Sequence, residues 1–170
     1  MRYLMAMAAV ILAAWAQPAF ADWEWTHWGM TRLQAFEAGQ GKASYASASE
    51  KQRRMYRRSF IPVQVPELVS ETRTGDTDFQ AYLLFDVTTS KLVCVDLLPK
   101  PSTTVNPDIR KTLVGLYGTP TQEQRKELPG VVWTTTTWVS ERDTIELQMG
   151  GLGAKLKYCE RPKDAVAELR

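Results

Sequence analysis

The stretch "DFQAYLLFDVTTSKLVCVDLL", residues 78–98, decides how the chain is read. Residues 78–88 are aromatic and β-branched, 89–91 ("TSK") have turn character, and 92–98 ("LVCVDLL") form another apolar run. Two such runs joined by a short polar turn predict an antiparallel hairpin. Upstream, "FIPVQVPELVSETRT" (60–74) is extended, and "GDT" (75–77) turns it back toward the hairpin. Pro62 and Pro66 cannot donate to a ladder, so they assign this strand to an edge or an irregular start. The three runs form a meander.

A second meander follows. "VVWTTTTWVS" (131–140), "DTIELQMG" (143–150) and "AKLKYCE" (154–160) are separated by tight turns at Glu141-Arg142 and Gly150 to Gly153. The glycines of "MGGLG" suit a hairpin that needs positive φ. Each meander is preceded by a helix. In "MTRLQAFEAGQG" Thr31 is an N-cap, Leu33 and Phe36 with Met30 recur at helical spacing, and Gly39 or Gly41 stops the run. In "PDIRKTLVGLYG" (107–118) Pro107 and Asp108 suit the first turn, Ile109, Leu113 and Leu116 make the apolar stripe, and Gly118 with Pro120 ends it. The segments 42–58 and 121–130 are polar and read as loops, the first with a weak helical turn near Glu50 to Arg57. The order is α-βββ-α-βββ, an α+β domain of two layers with antiparallel meanders and helices packed on one sheet face.

The first 21 residues, "MRYLMAMAAVILAAWAQPAFA", carry a cation, an apolar run and an Ala-x-Ala site, the pattern of a secretory signal peptide. The apolar run is shorter than the roughly 20 residues needed to cross a bilayer, and Gln17 and Pro18 break it. Cleavage after Ala21 leaves a single domain over 22–160 and a tail or short helix over 161–170. The expected location is periplasmic or secreted, with no integral membrane segment after cleavage. Charge is nearly balanced, 21 Lys and Arg against 19 Asp and Glu, which argues against nucleic acid as a partner. The two cysteines, Cys94 and Cys159, both lie in strand-like runs and are expected to pair in an oxidising compartment, with two buried thiols as the alternative.

"WGMT" (28–31), the hairpin ending "LVCVDL", "LVGLYGTP" (113–120) as L-x-x-x-Y-G-x-P, the tryptophan strand 134–148 and "AKLKY" (154–158) occur together. In this combination the chain resembles a loose group of small exported bacterial domains of uncharacterised function that open on W-G-M-[S/T]. The resemblance spans about residues 25–160. It implies a two-layer α/β fold outside the cytoplasm and carries over no catalytic residue. The basic stretch within 42–58 and the cysteine pair depart from that pattern.

Catalytic chemistry is hard to place. His27 is the sole histidine, and no G-x-S-x-G elbow or phosphate loop is present. Asp76 and Asp78 lack the later ligands of a calcium loop. The reading therefore assigns no catalytic residue, metal or cofactor. The leading expectation is a non-catalytic binding or interaction module for an envelope protein or polymer. The alternative is an enzyme or enzyme accessory acting on envelope polymers, with Asp86, Asp96 or Glu146 as acids; Asp86 and Asp96 sit on neighbouring strands and could approach one another.

Two surfaces are candidates for contact. In "DWEWTHWGM" (22–30), Trp28 is expected under the first helix, whereas Trp23 and Trp25 are either an exposed aromatic platform or edge packing. In "KQRRMYRRS" (51–59), Arg53, Arg54, Arg57 and Arg58 form either a solvated face or a patch for anionic polymers or lipid headgroups.

Overall fold

The computed structural model describes residues 23–58, 60–101, 103, 105, 107–151 and 153–161; the expected leader and most of the C-terminal tail lie outside the described residues. The chain runs α1 (Arg32–Ala38), β1 (Ala43–Tyr45), α2 (Ala48–Arg54), β2 (Tyr56–Arg58), β3 (Ile61–Thr74), β4 (Thr77–Asp86), β5 (Leu92–Pro99), α3 (Ile109–Tyr117), β6 (Gln122–Leu128), β7 (Val131–Val139), β8 (Asp143–Gly150) and β9 (Gly153–Glu160). It is mostly antiparallel sheet with three short helices. The strand order is β1-β3-β4-β5-β9-β8-β7-β6, and β2 also pairs with β3.

The 78–98 hairpin forms as β4 and β5, and the second meander is β7-β8-β9. They join through β5 and β9, in the pairs Cys94↔Cys159, Val95↔Tyr158, Asp96↔Lys157 and Leu97↔Leu156. At this junction Cys94 and Cys159 form a disulfide closing a separation of 65 residues. On the chain-entropy account such a loop stabilises by about 4 kcal/mol.

The expected α-βββ-α-βββ order is corrected in two places. The segment 42–58 is not a loop: it contributes β1, α2 and β2. Its strands are only three residues each and take their order from pairing with β3, at Leu68 to Ser70 and at Ile61 to Gln64. The charged run after α3 is also ordered, as β6, paired along its length with β7. An outermost strand of charged residues discourages pairing with other chains, so polarity here marks an edge rather than a loop. Of the two readings of β3, an edge or an irregular start, the structure bears out the second: the strand is flanked on both sides. Its prolines sit at irregularities, Pro62 beside the shift in the β2 register and Pro66 at the shift against β4.

Side chains alternate across the sheet. One face carries Phe79, Ala81, Leu83, Val95, Leu97, Ile145, Leu147, Leu156 and Tyr158, and Ala35 of α1 with Ile109 and Leu113 of α3 join the same core. The expected helix stripes are half right: Leu33 and Leu116 are exposed, and small Ala35 is the residue of α1 that is fully buried. Thr31 caps α1 through a complete capping box with Gln34.

The "MGGLG" glycines have separate reasons. Gly153 has φ +126°, as a hairpin requires, whereas Gly150 leaves room for the Trp133 indole, which would come within 2.6 Å of an added Cβ. Gly150→Ala is therefore expected to destabilise by about 1–3 kcal/mol, while Gly151→Ala, which meets nothing within 4 Å, stays within about 0.5 kcal/mol. Denaturant midpoints of the two variants check this; equal midpoints would remove the steric account.

Candidate functional site

Trp23 is 5% exposed and belongs to the core, its ring 5.0 Å from that of Trp25. Trp25 is half-buried and donates its indole N–H to the Ala35 carbonyl of α1 at 3.3 Å. Trp28 is half-buried against the core, and its indole reaches Asp143 at the start of β8, Nε1 to Oδ1 at 2.6 Å. The "WGM" segment hooks onto the sheet, with Gly29 donating to the Leu92 carbonyl and Leu92 to that of Met30, each at 2.9 Å. Trp23 is thus part of the core, and Trp25 and Trp28 pack against it. His27 is exposed beside them.

The second sheet face is polar and carries the more unusual chemistry. By alternation it presents Tyr82 of β4, Asp96 of β5, Lys155 and Lys157 of β9 and Glu146 of β8. Asp96, Lys157 and Glu146 are direct cross-strand neighbours with alternating charge. Asp96 is 4% exposed. Its Oδ2 accepts from the Tyr56 hydroxyl at 2.6 Å and pairs with Lys155 Nζ at 2.9 Å, while Lys155 also donates to the Tyr56 oxygen. Lys157 Nζ stands 4.0 Å from the centroid of the Tyr56 ring. Asp96 Oδ1 is buried without a hydrogen-bond partner among the described residues.

Tyr56 is the first residue of β2, so this network fastens the α2–β2 segment to the sheet. Arg54 adds a stacking contact, its guanidinium 5.2 Å from the Tyr82 ring. In the middle of α2, Lys51 pairs with Glu67 at 2.6 Å, and Arg32 of α1 reaches the same carboxylate at 3.1 Å. Burial raises Glu67, but the hydrogen bonds from Lys51 and Arg32 hold its carboxyl below the ordinary range. The segment is thus held by the Tyr56–Asp96 hydrogen bond and the Lys51–Glu67 ion pair, and Arg53, Arg57 and Arg58 remain on its exposed side.

The carboxylates of the enzyme reading occupy unrelated places. Asp86 pairs in the ladder with Gln64, and Asp96 with Tyr82 and Lys157, so they lie about four residues, roughly 13 Å, apart along the strands. This register keeps apart the two acids whose approach the sequence left open. Asp86 Oδ1 accepts from the backbone of Thr88 and Thr89 and from the Thr89 hydroxyl. Those bonds, the Thr89 backbone N–H foremost, keep its carboxyl ionised below the usual value, which suits a turn anchor rather than a proton donor. Glu146 accepts from Gln148 at 2.6 Å. Lys157 stands between Glu146 and Asp96.

Beside the network is an open cleft of about 620 Å³ lined by Gln64, Asp86, Lys157, Glu160, Arg161 and the Cys94–Cys159 disulfide. Burial pulls the Lys157 ammonium below the ordinary lysine value, against the attraction of Asp96 and with Lys155 adding repulsion. Among the described residues no three His, Cys, Asp or Glu side chains are grouped to hold a metal ion, and no helix is long and apolar enough to cross a membrane.

The network has an alkaline signature. Burial, followed by the Asp96 charge, pushes the Tyr56 hydroxyl well above the ordinary tyrosine value. A folded-state value raised above the unfolded one gives stability that is complete below about pH 10 and is lost as pH rises further, because the unfolded chain releases its proton first. Tyr56→Phe is expected to make this alkaline loss shallower, read by denaturant unfolding across that range. An unchanged slope would mean that Tyr56 is not held beside Asp96.

Compared with family models, with curated proteins and with solved structures, the chain matches none, so its functional reading rests on this geometry.

Proposed function

We propose that the protein is an exported, non-catalytic binding module whose contact surface is the basic α2–β2 segment. The observation that carries this reading is the use of a buried carboxylate, Asp96, as the fastening point for a strand only three residues long. Burying a charge is costly unless it is paired, and here the pairing holds Tyr56 against the sheet while Arg53, Arg57 and Arg58 face outward. The same reading takes the sheet, with α1 and α3 against its apolar face, as a two-layer α+β domain. An oxidising, periplasmic or extracellular location suits the Cys94–Cys159 disulfide.

The enzyme reading draws less support, because Asp86 anchors a turn, Asp96 is engaged by Tyr56 and Lys155, and Glu146 is separated from Asp96 by Lys157. Trp23, once a contact candidate, is occupied by packing, and Trp25 is half occupied.

Binding of a generic polyanion, dextran sulfate, tests the surface. The protein is expected to bind it with an affinity that falls as salt rises. Replacing Arg53, Arg57 and Arg58 together by Gln should weaken binding by about tenfold or more, with the unfolding midpoint unchanged. Equal affinity of variant and parent would remove the basic segment from the account.

A further inference from the structure

The turn between β2 and β3 is built against its own conformational preference. Arg58 pairs with Ile61 across this turn. Phe60 sits there at φ +70°. That left-handed region favours Gly, Asn or Asp, and a bulky residue in it is strained. Its ring is not repaid by packing, since Phe60 is 91% exposed and the next residue, Ile61, is 67% exposed. A strained, solvent-facing aromatic at a turn tip is an outlier from which a functional role is properly inferred.

The tip also projects. The first partner of β3 in β4 is Gln64, opposite Asp86, so Ile61, Pro62 and Val63 carry the hairpin past the end of β4 by roughly 10 Å. At its base Val87 donates to the Val63 carbonyl at 3.1 Å, and Val87 is itself exposed. Leu33 of α1 is exposed and lines a cleft with Val65 and Val87. Four exposed apolar side chains, Leu33, Phe60, Ile61 and Val87, therefore occur at one end of the sheet. Arg57 and Arg58 flank the tip, and Arg53 lies on the helix leading into it. Two acids near this end are engaged, Asp86 by its turn and Glu67 by Arg32 and Lys51.

We infer that this end of the molecule docks on the surface of an anionic phospholipid bilayer, with Phe60 and Ile61 entering the headgroup–acyl boundary and Arg53, Arg57 and Arg58 contacting lipid phosphates. An apolar tip with cations beside it combines the two attractions that hold a peripheral protein to such a surface, and neither alone suffices for stable binding. A soluble polyanion would use the arginines but would leave Phe60 unexplained. The inference rests on the reading of α2–β2 as the contact surface and adds the partner and the apolar anchor.

The test is co-sedimentation of the protein recovered from cells expressing the whole chain with vesicles of phosphatidylcholine alone or with phosphatidylglycerol. Binding is expected only with the anionic lipid and should weaken with salt. Phe60→Asn should lower the partition coefficient about tenfold while leaving the thermal midpoint equal or higher, since Asn tolerates the backbone position. Arg57→Gln and Arg58→Gln should each lower it about fivefold. Equal binding to neutral vesicles, or anionic binding indifferent to Phe60→Asn, overturns the inference. Arginine-dependent binding to dextran sulfate without vesicle binding overturns it too, yet leaves the contact-surface reading standing; loss of both removes the two together.

Discussion

The pairing of β5 with β9 is the constraint on which the rest depends. Those strands are distant in sequence, and each is the last of its meander, so without them the chain has two sheets with open edges. The four residue pairs at this junction place Val95, Leu97, Leu156 and Tyr158 in one core. They also put the disulfide and the Asp96↔Lys157 pair on the opposite face. Because side chains alternate, a slip of one residue at this junction would move the charges into the core and the leucines to the polar side. The disulfide ties this register covalently.

From that register the asymmetry of the molecule follows. The apolar face needs cover and receives α1, α3 and the N-terminal tryptophans. The polar face can remain wet, and only part of it is covered, by a segment fastened through Tyr56. A buried carboxylate is a poor source of net stability but a specific one: it discriminates strongly between a positioned tyrosine and lysine and any other contact. The result is a short strand held in register at the sheet edge, with its arginines and the following Phe60 directed away from the fold.

The parts legible in the sequence are those whose order is local. The 78–98 hairpin and the β7-β8-β9 meander have alternating apolar residues and turn residues at their bends, and Thr31 and Gly118 mark helix ends by chemistry that needs no tertiary partner. The disulfide was legible because only two cysteines exist and both lie in strands. What was not legible depends on distant partners. Tyr56 to Arg58 has no apolar alternation and becomes a strand through β3 and Asp96. β6 is charged because it is an edge. Leu33 looked like core and Ala35 did not, since helix periodicity alone does not tell which side of a narrow stripe meets the sheet. Trp23 and Trp25 were open between platform and packing, and only the position of the core end resolves them. The arginines were visible as a cluster. Phe60 reads in the sequence as the start of a strand, although an aromatic between a basic run and a proline-bearing strand is a signal of a turn that would expose it.

The account depends most directly on whether Tyr56 is truly fastened to Asp96, because this fixes the α2–β2 segment on the sheet and so the direction of its exposed side. A double-mutant cycle with Tyr56→Phe and Asp96→Asn, read by denaturant unfolding, measures that coupling. A buried, charge-assisted pair predicts a coupling energy of about 1–3 kcal/mol. Additivity within about 0.5 kcal/mol would mean that the segment is not held there, and the contact surface built on it would lose its foundation.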